Sequence, residues 1–329
     1  MSRIVTGERP TGPLHLGHYF GSLADRVRLQ KQGHLLYLVI ADYQVITDRD
    51  RAEHLPDRVL GLVLDYLAAG LDPDDTVVFR HSAVPAIHEL AVAFLSLVSV
   101  GELRRNPTVK DEIAHSRQRS VNGLMFTYPV HQAADVLSLR GERVPVGADQ
   151  LPHLELMRSI ARRFAERYGP VFPMPEPVLS NTPRLAGLDG GKMSKSRRNA
   201  IALTATSDEI AARIREARTD SIRDITFDPV ARPDVARLLE LGALATGTDP
   251  VEVAARIGDA GAAGLKAYLT EAVDALLEPM RRRRTEFTVA DAAAILSRGN
   301  ERAAAEAGAT LDEARRAMGM TYDGVLMRT

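Results

Sequence analysis

Near its start the chain reads Ile4-Val5-Thr6-Gly7-Glu8-Arg9-Pro10-Thr11-Gly12-Pro13-Leu14-His15-Leu16-Gly17-His18. Residues 4–6 predict a short buried strand, and the Gly/Pro-rich turn after them leads into a helix that runs to about residue 32. The start of such a helix suits an anion, because unpaired backbone N–H groups and the helix dipole point toward one place. His15 and His18 fall on one face of that first turn, and Gly17 leaves the backbone bare for a flat ligand. The glycine spacing is not that of a dinucleotide-binding loop, so the two histidines are either phosphate contacts or ordinary surface residues.

A second stretch, far downstream, favours the phosphate interpretation. It reads Gly191-Lys192-Met193-Ser194-Lys195-Ser196 and continues with Arg197-Arg198. A basic run of this kind is often only a solvated loop. A mobile loop with two lysines is also suited to hold a polyphosphate leaving group. Together the two stretches resemble the paired signature of class I aminoacyl-tRNA synthetases.

The composition is that of an ordinary globular protein, with 45% hydrophobic and 26% charged residues among 329, enough for one large or two ordinary domains. The net charge of −1 argues against a uniformly basic nucleic-acid binder. Cysteine is absent, which excludes disulfides and Cys-ligated zinc or iron–sulfur clusters and fits a cytoplasmic protein. No apolar run approaches about eighteen residues, so we expect neither a signal peptide nor a membrane span.

Alternating strands and helices follow the first motif and predict an α/β domain with a doubly wound parallel sheet over residues 1–200. The predicted strands are residues 4–6, 35–40, 76–79 and 144–146, and the predicted helices include 52–69, 85–100, one that begins near Pro129, and 152–168. A basic, Pro-broken connection covers residues 102–110, where Lys110 is either solvated surface or a phosphate contact. A proline-rich, extended connection over residues 170–183 leads to the lysine loop.

Polar residues follow the predicted strands at their carboxyl ends, where open α/β sheets bind ligands. Gln44 comes shortly after the second strand, and residues 147–150 (Gly-Ala-Asp-Gln) come directly after the fourth. Tyr128, Gln132 and Asp135 are spaced to share one helix face. That face is either a solvated surface with Asp135 in a salt bridge, or a pocket wall where Asp135 awaits a donor on a ligand.

Residues 201–329 read as a second, all-helical domain. Ser207 is the predicted N-cap of its first helix, and further helices are predicted over residues 233–245, 250–257, 261–284, 289–298 and 302–318. Four consecutive arginines, residues 281–284, either face water or contact nucleic-acid phosphates.

Over nearly its whole length the chain resembles the tryptophanyl-tRNA synthetases of the bacterial type. The resemblance rests on the stretch from Gly7 to His18, on Val144-Pro145-Val146-Gly147-Ala148-Asp149-Gln150, and on Lys192-Met193-Ser194-Lys195-Ser196. The first and last are shared with tyrosyl enzymes. The middle one favours tryptophan, since tyrosyl enzymes usually carry a Gly-Gly version ahead of the Asp-Gln.

The resemblance implies a two-step reaction. The carboxylate of L-tryptophan attacks the α-phosphorus of ATP to give tryptophanyl-adenylate and pyrophosphate, and the tryptophanyl group then passes to its tRNA. Mg²⁺ would arrive with ATP, because the sequence shows no cluster of metal ligands. The helical half would bind the tRNA anticodon, and enzymes of this type are homodimers.

The resemblance also implies roles for individual residues. The catalytic group would be His15, His18, Lys110, Lys192, Ser194 and Lys195. ATP would further contact Arg9, Pro10, Thr11, Gly17, Gly147, Ala148, Asp149, Leu185, Met193 and Ser196. Tryptophan would contact Val5, Gly7, Gln44, Tyr128, Gln132, Asp135, Val144, Val146 and Gln150, with Asp135 accepting the indole N–H and with Tyr128 and Gln150 holding the α-amino group.

Four positions depart from the family pattern. Gln132 stands where many bacterial relatives have Met, Gln44 where many have His, Arg9 where many have Gln, and Val5 where many have an aromatic residue. These departures bear on tryptophan affinity rather than on the reaction, and they are similar to those of a side branch found as an auxiliary copy in some bacteria. The alternatives are a tyrosine-specific enzyme of the same class, since Asp135 accepts from a phenol as well, and a paralogue without catalysis that binds tRNA or a partner protein. A small nucleotidyltransferase with the same histidine motif would leave the long helical half without a reason.

Overall fold

The computed structural model describes residues 1–47, 54–115, 121–147, 150–179, 185–191, 193, 197 and 199–322. Six predicted site residues lie outside the described residues: Ala148, Asp149, Lys192, Ser194, Lys195 and Ser196. No helix in the described part of the chain is long and apolar enough to cross a membrane.

The predicted doubly wound parallel sheet is confirmed. The described residues form five strands, β1 (Arg3–Glu8), β2 (Leu35–Ile40), β3 (Thr76–Arg80), β4 (Arg143–Val146) and β5 (Glu176–Leu179), in the order β3-β2-β1-β4-β5. All four neighbouring pairs are parallel. The chain leaves β1 toward β2 on one side and later returns to β4 on the other. The carboxyl ends of β1 and β4 therefore flank the point where such sheets bind ligands.

The first helical segment contains a break in its hydrogen-bond pattern. Instead of one helix to residue 32, the chain forms α1 (Leu16–His18), a π-helical turn (Tyr19–Leu23) and α2 (Ala24–Lys31). The next helix is α3 (Leu55–Ala68), and it leads to β3 as predicted. A π-helical turn inside a helix is uncommon and is often found at a functional site, as here beside the histidine motif.

Two predictions between β3 and β4 were wrong. The helix predicted over residues 85–100 ends earlier, and the predicted connection 102–110 is helical: α4 (Pro85–Leu95), α5 (Val100–Arg105) and α6 (Pro107–His115). Ser99 starts α5 by accepting from the Glu102 N–H at 3.1 Å, while the Glu102 carboxylate accepts from the Ser99 N–H. This reciprocal capping box stabilises a helix start that hydrophobic periodicity alone does not reveal.

Pro129 was wrongly placed at a helix start. Helix α7 (Gly123–Ser138) begins six residues earlier and contains Pro129 in its interior. Asn122 caps it, because its side chain accepts from the Met125 N–H at 2.8 Å. The cap places Tyr128, Gln132 and Asp135 on one continuous helix, as their spacing requires.

The segment after α8 (Leu151–Tyr168) contains a strand that the proline-rich sequence concealed. β5 pairs only with β4, and Pro177 lies opposite Val144. Proline donates no backbone hydrogen bond, so it is tolerated there on an edge strand. The predicted extended connection thus adds the fifth strand to the sheet.

The C-terminal part is helical, as predicted, but its details differ. Thr206 rather than Ser207 is the N-cap of the first helix, because its hydroxyl accepts from the Glu209 N–H. The helices are α9 (Ser207–Glu216), α10 (Pro233–Thr246), α11 (Pro250–Ile257), α12 (Gly261–Thr285) and α13 (Val289–Ala317).

Helix α13 is one helix where two were predicted, and Gly299 and Asn300 lie in the interval between the two predicted helices. A Cβ at Gly299 would lie 1.9 Å from the Val78 carbonyl oxygen, so only glycine lets the helix approach β3 this closely. Asn300 accepts from the Arg80 N–H at 3.0 Å, which satisfies a donor of the edge strand. The pair thus docks α13 against the sheet.

The arginine run docks α12 against α3, which neither predicted alternative described. Arg283 donates to the Ala68 carbonyl at 2.8 Å and Arg284 to Asp65 at 2.7 Å, while Arg281 donates to the Ala205 carbonyl at 3.0 Å. One buried cluster contains side chains of both predicted domains, among them Leu62 of α3 and Leu269 of α12. The boundary between residues 200 and 201 stays a prediction.

Candidate active site

A cavity of about 500 Å³ opens at the carboxyl ends of β1 and β4. That volume is within the range of small-molecule sites. Thirteen predicted residues line it: Val5, Gly7, Arg9, Gly17, His18, Gln44, Tyr128, Gln132, Asp135, Val144, Val146, Gly147 and Gln150. A second cavity of similar size, on the surface beside the end of α13, is lined by Glu89 and Arg315 and contains none of them.

The two signature stretches meet at Gly17. The Met193 sulfur accepts from the Gly17 N–H at 3.2 Å, which places the lysine loop's methionine against the first turn of α1. A Cβ at Gly17 would lie 3.0 Å from both that sulfur and the His15 ring, so a side chain there would push the two stretches apart. Met193 itself is buried.

The first N–H groups of α1 are not free, which corrects the expected anion site. The Leu16 N–H donates to the Ile201 carbonyl at 3.0 Å, the Gly17 N–H to His15 Nδ1 at 3.1 Å, and the His18 N–H to the His15 carbonyl at 2.8 Å. His18 Nδ1 in turn accepts from the His15 N–H at 3.2 Å. Both rings therefore use Nδ1 as an acceptor, so each neutral ring carries its proton on Nε2. The predicted phosphate contacts at this edge would therefore have to come from side chains.

The remaining predicted ATP residues lie around this edge rather than in the cavity wall. His15 and Pro10 are buried, Thr11 is exposed and donates its N–H to the Arg9 carbonyl at 2.8 Å, and Leu185 is half-buried. Lys110 is exposed on α6, two residues beyond Thr108, which lines the cavity. Their roles stay predictions.

A buried aspartate that the sequence did not single out anchors the histidine motif from behind. Asp65 on α3 is 1% exposed, accepts from the Leu14 N–H at 2.8 Å, and accepts from Arg284 at 2.7 Å. The residue before His15 is thereby tied to helices α3 and α12. Asp65 lies in the second half of α3, where residues 59–64 and 66–68 carry no charge, and that isolated charge was the available signal.

A buried ion pair also lies in the wall of the cavity and was missed. Glu8 at the end of β1 accepts from Arg26 at 2.5 Å and from the Tyr66 hydroxyl at 2.9 Å. Burial opposes ionisation of Glu8, but the Arg26 guanidinium, with His18 nearby, holds the pKa of that carboxyl below its usual value. Glu8 and Arg26 thus place one negative and one positive group in the wall of the cavity.

The side of the cavity that is predicted to bind the amino acid contains Asp135, and a histidine lies against one of its oxygens. His81 Nε2 lies 2.5 Å from Asp135 Oδ1, and both side chains are nearly fully buried. Next to them His88 Nδ1 lies 2.8 Å from His131 Nε2, and the rings of His81 and His131 stack with centroids 4.5 Å apart. Tyr128 contacts His153 Nε2 through its hydroxyl at 3.0 Å.

The three histidines of this cluster differ in how their surroundings shift the pKa of each ring. Burial disfavours a charged His81 ring, yet the carboxylates of Asp135 and Asp42 overcome this and raise the pKa of His81 above its ordinary value. Burial lowers the pKa of His131 to about 4, and it also lowers the pKa of His88. The pKa of His81 is thus shifted in the opposite direction to the pKa values of His88 and His131.

The same geometry bears on the prediction that the chain has no metal site. Ligand atoms of His81, His131 and Asp135 all lie within 4.8 Å of one another. This grouping could not be predicted from the local sequence pattern, because its members come from the end of β3 and from α7.

A parallel sheet whose switch point joins a histidine motif, a lysine-loop methionine and a buried acceptor defines the class of nucleotide-dependent synthetases with a Rossmann-like core. A family model described as "tRNA synthetases class I (W and Y)" matches residues 1–278, and the chain belongs to this family.

Similar proteins agree with this assignment. The tryptophan–tRNA ligase of Treponema pallidum is 40% identical over 330 residues, which is 98% of each chain. That of Clostridium longisporum is 38% identical over 331 residues and 97% of each chain. The crystal structure of Campylobacter jejuni tryptophanyl-tRNA synthetase, complexed with ADP and tryptophan, matches with a TM-score of 0.83 at 29% identity and covers 96% of this chain and 99% of its own.

Proposed function

We propose that this protein catalyses the ATP-dependent ligation of L-tryptophan to its tRNA through a tryptophanyl-adenylate. The observation that carries the proposal is one cavity in which His18 and Gly17 of the signature motif face the same space as Asp135, Tyr128 and Gln150. The full-length relatives named tryptophan–tRNA ligase favour tryptophan over tyrosine.

The chemistry asks for alignment and positive charge rather than for a general base. The carboxylate of an amino acid is ionised at neutral pH, so it attacks the α-phosphorus without prior proton removal. Negative charge develops on the phosphates as pyrophosphate leaves, and groups aimed at that charge lower the barrier. His18 and His15 would donate from Nε2, and Arg9 adds positive charge near the same edge, whereas the charge of Arg26 is paired with Glu8.

The lysine loop completes the phosphate side of the proposal. Lys192, Ser194 and Lys195 adjoin Met193 in the sequence, and the Met193 sulfur accepts from the Gly17 N–H. We propose that they bind the β- and γ-phosphates together with Mg²⁺ carried by ATP, and that Lys110 reaches the same phosphates. Ala148, Asp149 and Ser196 belong to this proposed ATP set with Gly147, Pro10, Thr11 and Leu185.

The amino-acid side recognises the indole through a carboxylate acceptor. Asp135 lines the cavity while its Oδ1 is held by His81, so the carboxylate has a fixed orientation. Val5, Gly7, Val144 and Val146 supply apolar and bare-backbone surface for the ring, and Gln44 and Gln132 add polar contacts. Tyr128 and Gln150 would hold the α-amino group.

Exposed apolar side chains support the proposed homodimer. Several large apolar side chains are exposed around α4 and the turn after β2, with Val92 at 70% and Val100 at 60%. Tyr43 belongs to the same area, since its ring lies 4.9 Å from that of His88 on α4. Exposed apolar groups that share one face commonly mark an interface. We propose that the C-terminal helices bind the tRNA anticodon and that the enzyme acts in the cytoplasm.

The test of this function is amino-acid-dependent exchange of pyrophosphate into ATP, with tryptophan and tyrosine side by side. The chain contains no Trp, so the fluorescence of added tryptophan reports binding against little background. Exchange with tryptophan alone supports the proposal, and exchange with tyrosine instead overturns the specificity. Folded protein that binds tRNA and exchanges with neither amino acid would be a paralogue without catalysis.

A further inference from the structure

His81 has no place in the reaction described so far, yet it is buried in direct contact with the residue proposed to recognise the indole. It is 0% exposed, and its Nε2 lies 2.5 Å from Asp135 Oδ1. It follows β3 directly, in a short 3-10 turn (His81–Ala83), whereas Asp135 is on α7. His81 therefore lies one layer behind the cavity wall and acts on a ligand only through Asp135.

The hydrogen bonds of the neighbouring rings assign the protons of the cluster. His88 Nε2 lies 3.0 Å from the His81 carbonyl oxygen, which only accepts, so His88 Nε2 carries a proton. The neutral His88 ring then accepts at Nδ1 from His131 Nε2–H at 2.8 Å. His131 is left with a bare Nδ1, which is buried without a hydrogen-bond partner among the described residues. A proton on that nitrogen would be a buried, unpaired charge.

The charged groups around His81 all favour one arrangement. On α7 it faces Asp135 and the neutral His131, and on α4 the neutral His88. Asp42, at the end of β2, adds a second negative charge, and its carboxylate is occupied by the hydroxyl and N–H of Ser82. The Asp135 carboxylate thus faces Nε2 of His81, and the other two rings of the cluster are neutral.

We infer that His81 holds the Asp135 carboxylate in place as an acceptor in the cavity wall and thereby sets the preference for an amino acid whose ring carries an N–H group. This inference rests on the proposed tryptophan site. A carboxylate accepts but does not donate, so a ring that lacks N–H leaves it unsatisfied. Without the His81 ring the buried carboxylate would lose the neighbour that orients it, so it would accept less well from the ring N–H and the preference would weaken.

The test compares L-tryptophan with L-3-(benzothiophen-3-yl)alanine, in which sulfur replaces the ring N–H. Pyrophosphate exchange gives kcat/KM for each amino acid in the wild type, in His81→Met, which lacks a donor, and in His81→Gln, which keeps one. We expect His81→Met to reduce the tryptophan-to-analogue ratio at least about tenfold through the KM for tryptophan, with the KM for ATP unchanged. His81→Gln should recover part of the ratio. His88→Gln, in the same cluster but without contact to Asp135, should stay within about twofold of the wild type.

The partial recovery in His81→Gln separates this role from a merely structural one, because a loss of packing alone would not depend on whether the new side chain carries a donor. A ratio that His81→Met leaves unchanged, or equal losses for both amino acids and for ATP, would overturn the inference. So would stoichiometric zinc in the purified wild type that is lost in His81→Met, because His81 would then be a metal ligand. Wild-type protein with no tryptophan-dependent exchange would instead refute the proposed function.

Discussion

The phosphate side of the cavity and its amino-acid side differ in how far apart along the chain their parts lie. The phosphate side comes largely from one stretch, with Arg9, Gly17 and His18 in its wall. The amino-acid side combines β1, the turn after β2, α7, β4 and the start of α8. Behind it lies a second layer that begins at the end of β3.

This difference decides what each side tolerates. A contiguous motif sets its own local geometry through the capping contacts between His15 and His18, although Asp65 still ties its start to α3 and α12. The scattered side depends on the sheet order and on helix docking to bring its groups together. We therefore expect substitutions on the phosphate side to change the rate, and substitutions on the other side to change recognition and stability.

The largest effect is expected on the phosphate side. Lys195→Ala should lower the rate of adenylate formation by about 10³-fold, because a charge aimed at the leaving phosphates acts mainly in the transition state. Tryptophan affinity, measured by fluorescence, should stay nearly unchanged. Lys266→Ala on α12, far along the chain from both motifs, is the matched control. Equal losses in binding and rate would contradict the division of the cavity into two sides.

On the amino-acid side Asp135→Asn should lower kcat/KM for tryptophan by about 10²-fold, since the charged acceptor is replaced by a weaker one and His81 loses its partner. The KM for ATP should change little. The check is pyrophosphate exchange with tryptophan and tyrosine at varied ATP. If discrimination between the two amino acids were unchanged, Asp135 would have no part in recognition.

The support behind the amino-acid side is tested by two glycines of one helix. Gly299→Ala should lower the free energy of unfolding by about 3 kcal/mol, because its Cβ would lie 1.9 Å from the Val78 carbonyl on β3, three residues before His81. Gly308→Ala on the same helix has nothing within 4 Å of its Cβ and should be neutral or stabilising by up to about 1 kcal/mol. Urea unfolding of both variants measures the difference. Equal effects would mean that the docking of α13 on β3 is not needed.

The same contrast explains what sequence predicted well. Strands β1 to β4 followed from apolar runs, and the polar residues after them, such as Gln44 and Gln150, indicated the ligand edge of the sheet, because the carboxyl ends of parallel strands converge. The apolar residues of the cavity wall, such as Val5 and Val144, followed only from the family resemblance. Asp65, Arg26 and His81 were not predicted, since each one's role depends on a partner more than fifteen residues away. Gly299 and Asn300 were left out of the predicted helices, because their contacts with β3 cannot be read from the local sequence pattern. The helix starts at Ser99 and Asn122 were also missed, because the prediction relied on nearby prolines and not on the capping side chains.

The smallest effect sharpens the comparison through pH. The pKa of His131 is lowered to about 4 from an ordinary value of 6.5. In the unfolded chain His131 therefore binds a proton below about pH 6.5, whereas in the native chain it binds one only below about pH 4. Native stability should therefore fall as the pH drops through this window, and His131 should account for about 2 kcal/mol of the loss between about pH 7 and about pH 5. His131→Leu loses its contact with His88 at both values but should lack this part of the slope. Urea unfolding of both proteins at the two pH values measures it. Parallel slopes would show that His131 titrates normally, and His131 would then not be a neutral neighbour of His81.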